Sequence, residues 1–382
     1  MYKIYKNFLS QLHNAGKYRK LPELRQENIV NFLDFSTNDY LSLSKKPELA
    51  QTLANSALIN GIGSTGSRLL SGNSHIHKCF EAQIAKDKQT EAALLFTSGF
   101  QANISTLAAL LDNKIHKHKP IVFFDKLNHA SLYQAVFLSN AELVRFNHNS
   151  YADLEAKMLK FTNDSRNKFV ITETVFGMDG DFAPLSDIIS LCKQYNAFLY
   201  LDEAHATGLY GPSGYGISTE HDLLQIPHIV MGTLSKALGS IGGYIACSQV
   251  IKEFLINKAS GFIYSTALPA SIMQATHKAW NSIRFLNHER NRVKILAAKT
   301  RDKIQALGYD ICNSNSNIIP IVLKSEQNCL EVQNKLLAQK IIVSAIRPPT
   351  VPERTSRIRI SLCAHHTEDD IDYLLEHLTK IL

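Results

Sequence analysis

The stretch HIVMGTLSKALGSIGGYIA (228–246) sets a single long cation, Lys236, among small residues: Ser235, Ala237, Gly239, Ser240, Gly242 and Gly243. A surface lysine needs no such clearance. A lysine amine in a tight, partly dry setting is suited to forming a Schiff base with an aldehyde. The preceding apolar run, FLYLDEAHATG, ends on Asp202 with His205 three residues on. A carboxylate at a buried strand end is costly unless it meets a cation. A protonated pyridine nitrogen would suit it. Either motif alone reads better as part of an ordinary salt bridge. Together, on consecutive apolar runs, they point to pyridoxal phosphate, which supplies both the aldehyde and the ring nitrogen.

A phosphate would also need a cradle. LLFTSGFQAN offers one: a strand ends at Thr97, and Ser98, Gly99 and Phe100 open a helix whose first N–H groups and dipole favour an anion. Thr233 and Ser235 add hydroxyls. The plain alternative is a serine N-cap with a glycine in the first turn. His129 in DKLNHASLY follows another strand end, where an imidazole could stack on an aromatic cofactor or sit in a loop. Arg357 and Arg359 alternate with Ile358 and Ile360, so both point to one strand face. That face is either a carboxylate clamp or solvated. Asp179-Gly180-Asp181 reads as a turn. The loop Gly61–Gly72 is glycine-rich without being a P-loop, and offers Arg68 as an anion contact. His75, His77 and Glu81 invite a metal, but their spacing does not place the histidines on one helical face, and no H-E-x-x-H occurs. No metal is expected.

Elements must hold these residues. Seven short apolar runs, Ala93–Thr97, Ile121–Asp125, Glu142–Phe146, Phe169–Glu173, Phe198–Asp202, Ile229–Thr233 and Tyr244–Cys247, mostly alternate with helical periodicity. Runs apolar on both faces predict an α/β fold with a mostly parallel seven-stranded sheet flanked by helices. Four of them end in Asp125, Glu173, Asp202 and Thr233, and in such sheets the carboxyl ends of strands form the ligand crevice. Beyond about residue 270 the pattern becomes a smaller α+β domain. The expected division is an N-terminal helix or arm (1–45), a large domain (46–282) and a small C-terminal domain (283–382).

Composition narrows the class. The chain has 382 residues, 45% hydrophobic and 20% charged, with a net charge of +7. No run of five like charges gathers the cations, so nucleic acid is not an expected partner. Six scattered cysteines without a C-x-x-C pair fit a reducing compartment. Residues 1–20 read as an amphipathic helix rather than a leader, and no stretch is long and apolar enough for a membrane. A cytoplasmic protein without membrane association is expected.

TLSKALG, LDEAHATG, TSGFQAN, LNHAS and MDGD together resemble the α-oxoamine synthases, pyridoxal phosphate enzymes of the aspartate-aminotransferase-like fold (fold type I). The likeness runs from FSTNDYLSLS (Phe35–Ser44) to AHHTEDDIDYLL (Ala364–Leu375). It implies a decarboxylative acyl transfer by a homodimer. Lys236 would be the Schiff-base lysine, Asp202 the pyridinium partner, His205 the contact to the phenolate oxygen and His129 the ring-stacking residue. Ser98, Gly99, Phe100, Thr233 and Ser235 would surround the phosphate, and Thr266 would reach the phosphate of the partner subunit. Arg19, Asn38, His129, Thr350 and Arg359 would contact substrate, with Arg359 clamping the amino-acid carboxylate. AIRPPTVP with SRIR, and LNHASLYQAVFLSNAELVRFNHN, resemble the branch that joins L-alanine to a pimeloyl thioester on coenzyme A or an acyl carrier protein. A sister branch uses glycine and acetyl-CoA. Gly177 departs from the family, which often has serine before MDGD.

Overall fold

The computed structural model describes residues 1–21 and 32–382. Along the chain, α1 (Tyr2–Asn14) and β1 (Leu33–Asp34) precede α2 (Pro47–Asn60) and α3 (His75–Asp87). The alternation then runs β2 (Ala92–Phe96), α4 (Gly99–Leu110), β3 (Ile121–Asp125), α5 (Ala130–Ser139), β4 (Glu142–Phe146), α6 (Tyr151–Leu159), β5 (Lys168–Glu173), α7 (Leu185–Gln194), β6 (Ala197–Asp202), β7 (His228–Thr233) and β8 (Gly243–Cys247). Helices α8 (Gln249–Lys258), α9 (Ser260–Ile263), α10 (Ala270–Ser282) and α11 (Asn287–Ala306) follow. The last stretch is β9 (Ile318–Lys324), α12 (Glu326–Ala338), β10 (Ile341–Ile342), β11 (Ser344–Ile346), β12 (Ser356–Ser361) and α13 (Glu368–Ile381).

The larger compact unit spans Asp39–Phe176 and Phe182–Asn291. Its seven-stranded sheet has the order β2-β8-β7-β6-β5-β3-β4, and β8 alone runs antiparallel to its neighbours. The expected α/β architecture is present. Continuous apolar strands are explained by burial of both faces: Leu94, Phe124, Ile171, Tyr200, Ile229 and Ile245 pack with α4 and α5, while Ala93, Phe123, Val170, Leu199, Val230 and Ala246 are buried on the opposite side.

One buried ion pair fixes the turn after β6. Lys88 donates to Glu203, to the carbonyl of Tyr215 (2.6 Å) and to Ser218 Oγ, and both side chains of the pair have zero exposure. Ser218 returns two hydrogen bonds to the Glu203 carboxylate. Burial disfavours the Lys88 charge, yet Glu203 and Tyr244 outweigh it and raise its pKa. Because Glu203 directly follows Asp202, the turn that carries Asp202 and His205 is held from beneath.

The smaller unit comprises the described part of Met1–Asn38, with Gly177–Asp181 and Arg292–Leu382. It holds an antiparallel sheet, β11-β12-β9, and a parallel pair, β1-β10. Gly180 (φ +73°) makes the turn at 177–181, and its carbonyl accepts from the N–H groups of Asn315 and Ser316.

Two histidines are structural, one in each unit. His77 completes a capping box with Ser74 and bonds the carbonyl of Leu268 at 3.0 Å. His366 accepts from the Cys363 N–H and contacts the carbonyl of Asp34. Burial pushes each down to about 4. An unfolded chain takes up these protons near pH 6.5, whereas the folded one resists until about pH 4. The neutral imidazoles therefore contribute stability above pH 6.5 that disappears as the pH falls towards 4. Each contribution is on the order of 3 kcal/mol. Unfolding midpoints in urea should fall steadily between pH 7 and 4.5, and His77→Gln should flatten part of that slope.

Candidate active site

The two apolar runs flanking Lys236 are antiparallel neighbours, with Thr233 paired to Gly243, so Lys236 lies in the connection between β7 and β8. That connection is tightly folded: Leu234 N–H donates to Gly242 O, Ser240 N–H to Leu234 O and Gly239 N–H to Lys236 O. The small residues around the lysine serve the protein's own packing more than they leave room. A Cβ on Gly239 (φ +62°) would lie 2.3 Å from the Ser44 N. One on Gly208 would meet Ala237 Cβ at 2.3 Å, and one on Gly243 would meet Gly99 Cα at 2.8 Å. The clearance predicted from composition is therefore partly filled by neighbouring backbone.

Lys236 Nζ lies 2.7 Å from His205 Nε2, and His205 Nδ1 lies 2.7 Å from the Tyr40 hydroxyl. This chain holds the amine at a defined place. Asp202, at the carboxyl end of β6, is 3% exposed. It accepts from Asn103 Nδ2 (2.8 Å) and from the Ala204 N–H (2.8 Å). Asn103 sits on α4 and is itself held by the Tyr200 hydroxyl and by Ser131. Among the described residues Asp202 meets these neutral donors and no cation at ion-pair distance. A buried carboxylate so placed is complementary to a protonated ring nitrogen.

His129 caps α5: its Nδ1 accepts from the Ser131 N–H, and its own N–H donates to Glu173 Oε1 at 2.6 Å. Glu173 ends β5 opposite Asp202 on β6. Burial and the Asp202 charge raise the Glu173 pKa well above the usual carboxylate range, with Lys236 and the His129 N–H opposing. Burial holds His129 low; Asp202 opposes this and Lys236 adds to it. Asp202, Lys236, His129 and Glu173 thus share one electrostatic neighbourhood.

At the start of α4 the Ser98 hydroxyl accepts from the Gln101 N–H at 3.1 Å, so it serves as an N-cap. The anion-binding capacity resides instead in the first-turn N–H groups of this 12-residue helix. The Phe100 side chain is exposed and can contribute only its backbone. Thr233 Oγ1 donates to Gly242 O and lies 2.8 Å from Ser235 Oγ, placing two hydroxyls next to that helix end. A Cβ on Gly99 would stand 3.3 Å from Thr233 Cβ, so this glycine lets the helix end and β7 approach. Thr266, Arg68, Thr97 and Gln101 line a small recess of ≈ 10 Å³. With the helix end for the phosphate, Asp202 for the ring nitrogen and Lys236 for the aldehyde, the residues present fit pyridoxal phosphate. Gly99→Val should weaken cofactor binding about tenfold, given the usual 1–3 kcal/mol of overpacking. Titration of the apoprotein with pyridoxal phosphate measures it.

In the smaller unit, Arg359 donates from Nε to the Gly177 carbonyl (2.7 Å) and from Nη2 to Asn38 Oδ1 (3.1 Å). Arg357 pairs with Asp179. Both arginines are buried, so the solvated-face reading of β12 does not hold. Arg19 donates to Thr350 Oγ1 at 3.2 Å. Arg68 is engaged with Glu81 (2.8 Å) and Asn73, which accounts for a residue read as an anion contact. No cluster of metal ligands occurs among the described residues.

Sequence reasoning left Tyr40, Asn103 and the Lys88–Glu203 pair unassigned. Asn103 lies one helical turn beyond Gly99 on the same helix, a spacing that could have flagged it. Nothing local marks Tyr40, which lies 165 residues from His205.

The profile of the aminotransferase class I and II family matches residues 30–378. A protein of Paramagnetospirillum magneticum named as a putative 8-amino-7-oxononanoate synthase is 43% identical over 375 residues, covering 96% of this chain and 95% of its own. Among solved structures, a serine palmitoyltransferase from S. paucimobilis with bound PLP–myriocin aldimine superposes with a TM-score of 0.86 at 28% identity, covering 92% of this chain and 87% of the other. An 8-amino-7-oxononanoate synthase from Francisella tularensis gives 0.78 at 29% identity, covering 92% and 97%.

Proposed function

Since this chain belongs to the aminotransferase class I and II family and, within it, to the α-oxoamine synthases, which are acyltransferases that use pyridoxal phosphate, we propose that it makes 8-amino-7-oxononanoate for biotin synthesis. L-alanine and a pimeloyl thioester would give that product, CO₂ and free thiol. The observation that carries the chemistry is the Lys236–His205–Tyr40 chain in the same neighbourhood as a buried Asp202 that, among the described residues, has no cation at ion-pair distance. The substrates are supported by the 43% identity over 96% of the chain.

Pyridoxal phosphate, when bound, supplies an electron-withdrawing ring joined to the amino-acid nitrogen. Asp202 keeps the ring nitrogen protonated. The α4 N-terminus with Thr233 and Ser235 anchors the phosphate. Lys236 would be the residue that links to the aldehyde, and its Nζ, positioned by His205, would as a free amine take the proton from Cα of alanine. His129, whose backbone N–H donates to Glu173 and whose Nδ1 accepts from the Ser131 N–H, would present its imidazole to the ring. Arg359, steadied by Gly177 and Asn38, meets the alanine carboxylate with its guanidinium, and Arg19 and Thr350 receive the acyl substrate.

A homodimer is part of the reading. Leu58, Ile59, Ile62, Leu70 and Tyr264 are all more than 80% exposed, apolar side chains that a partner subunit would cover. Thr266 would serve the partner's cofactor. Among the described residues no helix is long and apolar enough to cross a membrane, and we place the enzyme in the cytoplasm.

Thiol release over a grid of amino acids and acyl thioesters tests the substrates. Alanine should exceed glycine by about 10–200-fold in kcat/KM, the discrimination one methyl group supports. Faster turnover with glycine and acetyl-CoA than with alanine and pimeloyl-CoA would transfer the protein to the sister activity.

A further inference from the structure

None of the residues of helix α1 is fully buried, and Leu12 alone is half-buried. Tyr2, Ile4, Tyr5, Phe8 and Leu9 lie on one side, with Ile4 72% and Phe8 56% exposed. Lys6 and His13 flank this side and Lys3 lies behind it. From Tyr2 to Leu9 the stripe is about 10 Å long at 1.5 Å per residue. From Met1 to Leu21 the chain carries Lys3, Lys6, Lys17, Arg19 and Lys20 and no acidic residue. The end of this segment is tied to the loop 347–353: Arg347 donates to the carbonyls of Gly16 and Tyr18, Lys17 pairs with Glu353, and Arg19 bonds Thr350.

We propose that α1 is a docking face for an acidic carrier protein that presents the acyl group as its thioester. The inference rests on the acyl-transfer reading above and names the carrier. Charge complementarity selects the partner, because Lys3 and Lys6 accompany an apolar stripe in a segment that itself holds no acidic residue. A nucleotide thioester could meet the lysines but would not cover the apolar stripe. A lipid surface would not account for the tie between this segment and Arg19 and Thr350, the positions assigned to the acyl substrate.

The test compares pimeloyl-CoA with pimeloyl-loaded acyl carrier protein as donors to the full-length holoenzyme. A triple variant, Lys3→Glu, Lys6→Glu and Phe8→Ser, should lose about tenfold in kcat/KM with the carrier protein, through KM, and stay within about twofold of wild type with pimeloyl-CoA. Added salt should erase much of the difference for the carrier protein. Equal losses with both donors, no loss with either, or wild-type turnover of pimeloyl-CoA alone would overturn the proposal. So would a change of oligomeric state in the variant, or α1-dependent binding to phosphatidylglycerol vesicles without binding to the carrier. If wild type turns over neither donor, the acyl-transfer reading fails by itself. Fluorescence anisotropy of labelled holo-carrier then decides docking: binding to wild type but not the variant supports it, and no binding overturns it.

Discussion

Lys236→Ala abolishes turnover, by about 10⁴-fold or more, and removes the absorption band of the lysine-linked cofactor from the purified protein. Two losses combine. The substitution deletes the amine that captures the aldehyde, and it deletes the base that lies 2.7 Å from His205 Nε2. Small amines added to the variant should restore some proton removal but not the covalent link. The fold should survive, because Lys236 is only partly buried and the backbone bonds of Leu234, Gly239 and Ser240 hold the loop without its side chain. Turnover retained in this variant, with a native circular dichroism spectrum, would refute the catalytic assignment.

Asp202→Asn should lower kcat on the order of 10³-fold while leaving KM for the thioester nearly unchanged. The amide has the carboxylate's shape but not its charge. It cannot hold a ring nitrogen protonated, and electron withdrawal from Cα fails with it. Stability should respond less. The carboxylate accepts at both oxygens, from Asn103 Nδ2 and from the Ala204 N–H, and an amide keeps only one acceptor, so one donor loses its partner while a desolvated charge is removed. The unfolding midpoint of the apoprotein should therefore fall less for Asp202→Asn than for Asp202→Ala, which strands both donors. A variant Asp202→Asn that kept more than about a tenth of wild-type kcat would separate this residue from the ring nitrogen.

The strands were legible because burial of both sheet faces leaves an unbroken apolar run in the sequence. Val230 and Met231 face opposite sides of β7 and are both buried. The clustering of Asp202 and Lys236 was legible for a related reason: both end or follow such runs, and the carboxyl ends of neighbouring parallel strands converge. Helix α4 was legible from its serine and glycine at the start, although the serine hydroxyl proved to cap the helix. The meaning of the small residues around Lys236 was only half legible. Their smallness shows in the sequence; what fills the space, the backbone of Ser44 and Gly99 and the side chain of Ala237, does not.

By itself the sequence determined which residue types stand at the strand ends, hence the α/β class and the family, and it singled out Lys236 and Asp202 as the candidates for Schiff-base lysine and ring partner. Local apolar periodicity and short motifs carry that information. Only the tertiary structure decided that Tyr40 orients His205, that Asn103 and Tyr200 brace Asp202, that Lys88 neutralises Glu203 from 115 residues away, and that Gly177–Asp181 belongs with the smaller unit. Those are hydrogen bonds and ion pairs between segments remote in the chain. Each depends on how strands are ordered in the sheet, and no local pattern encodes that order.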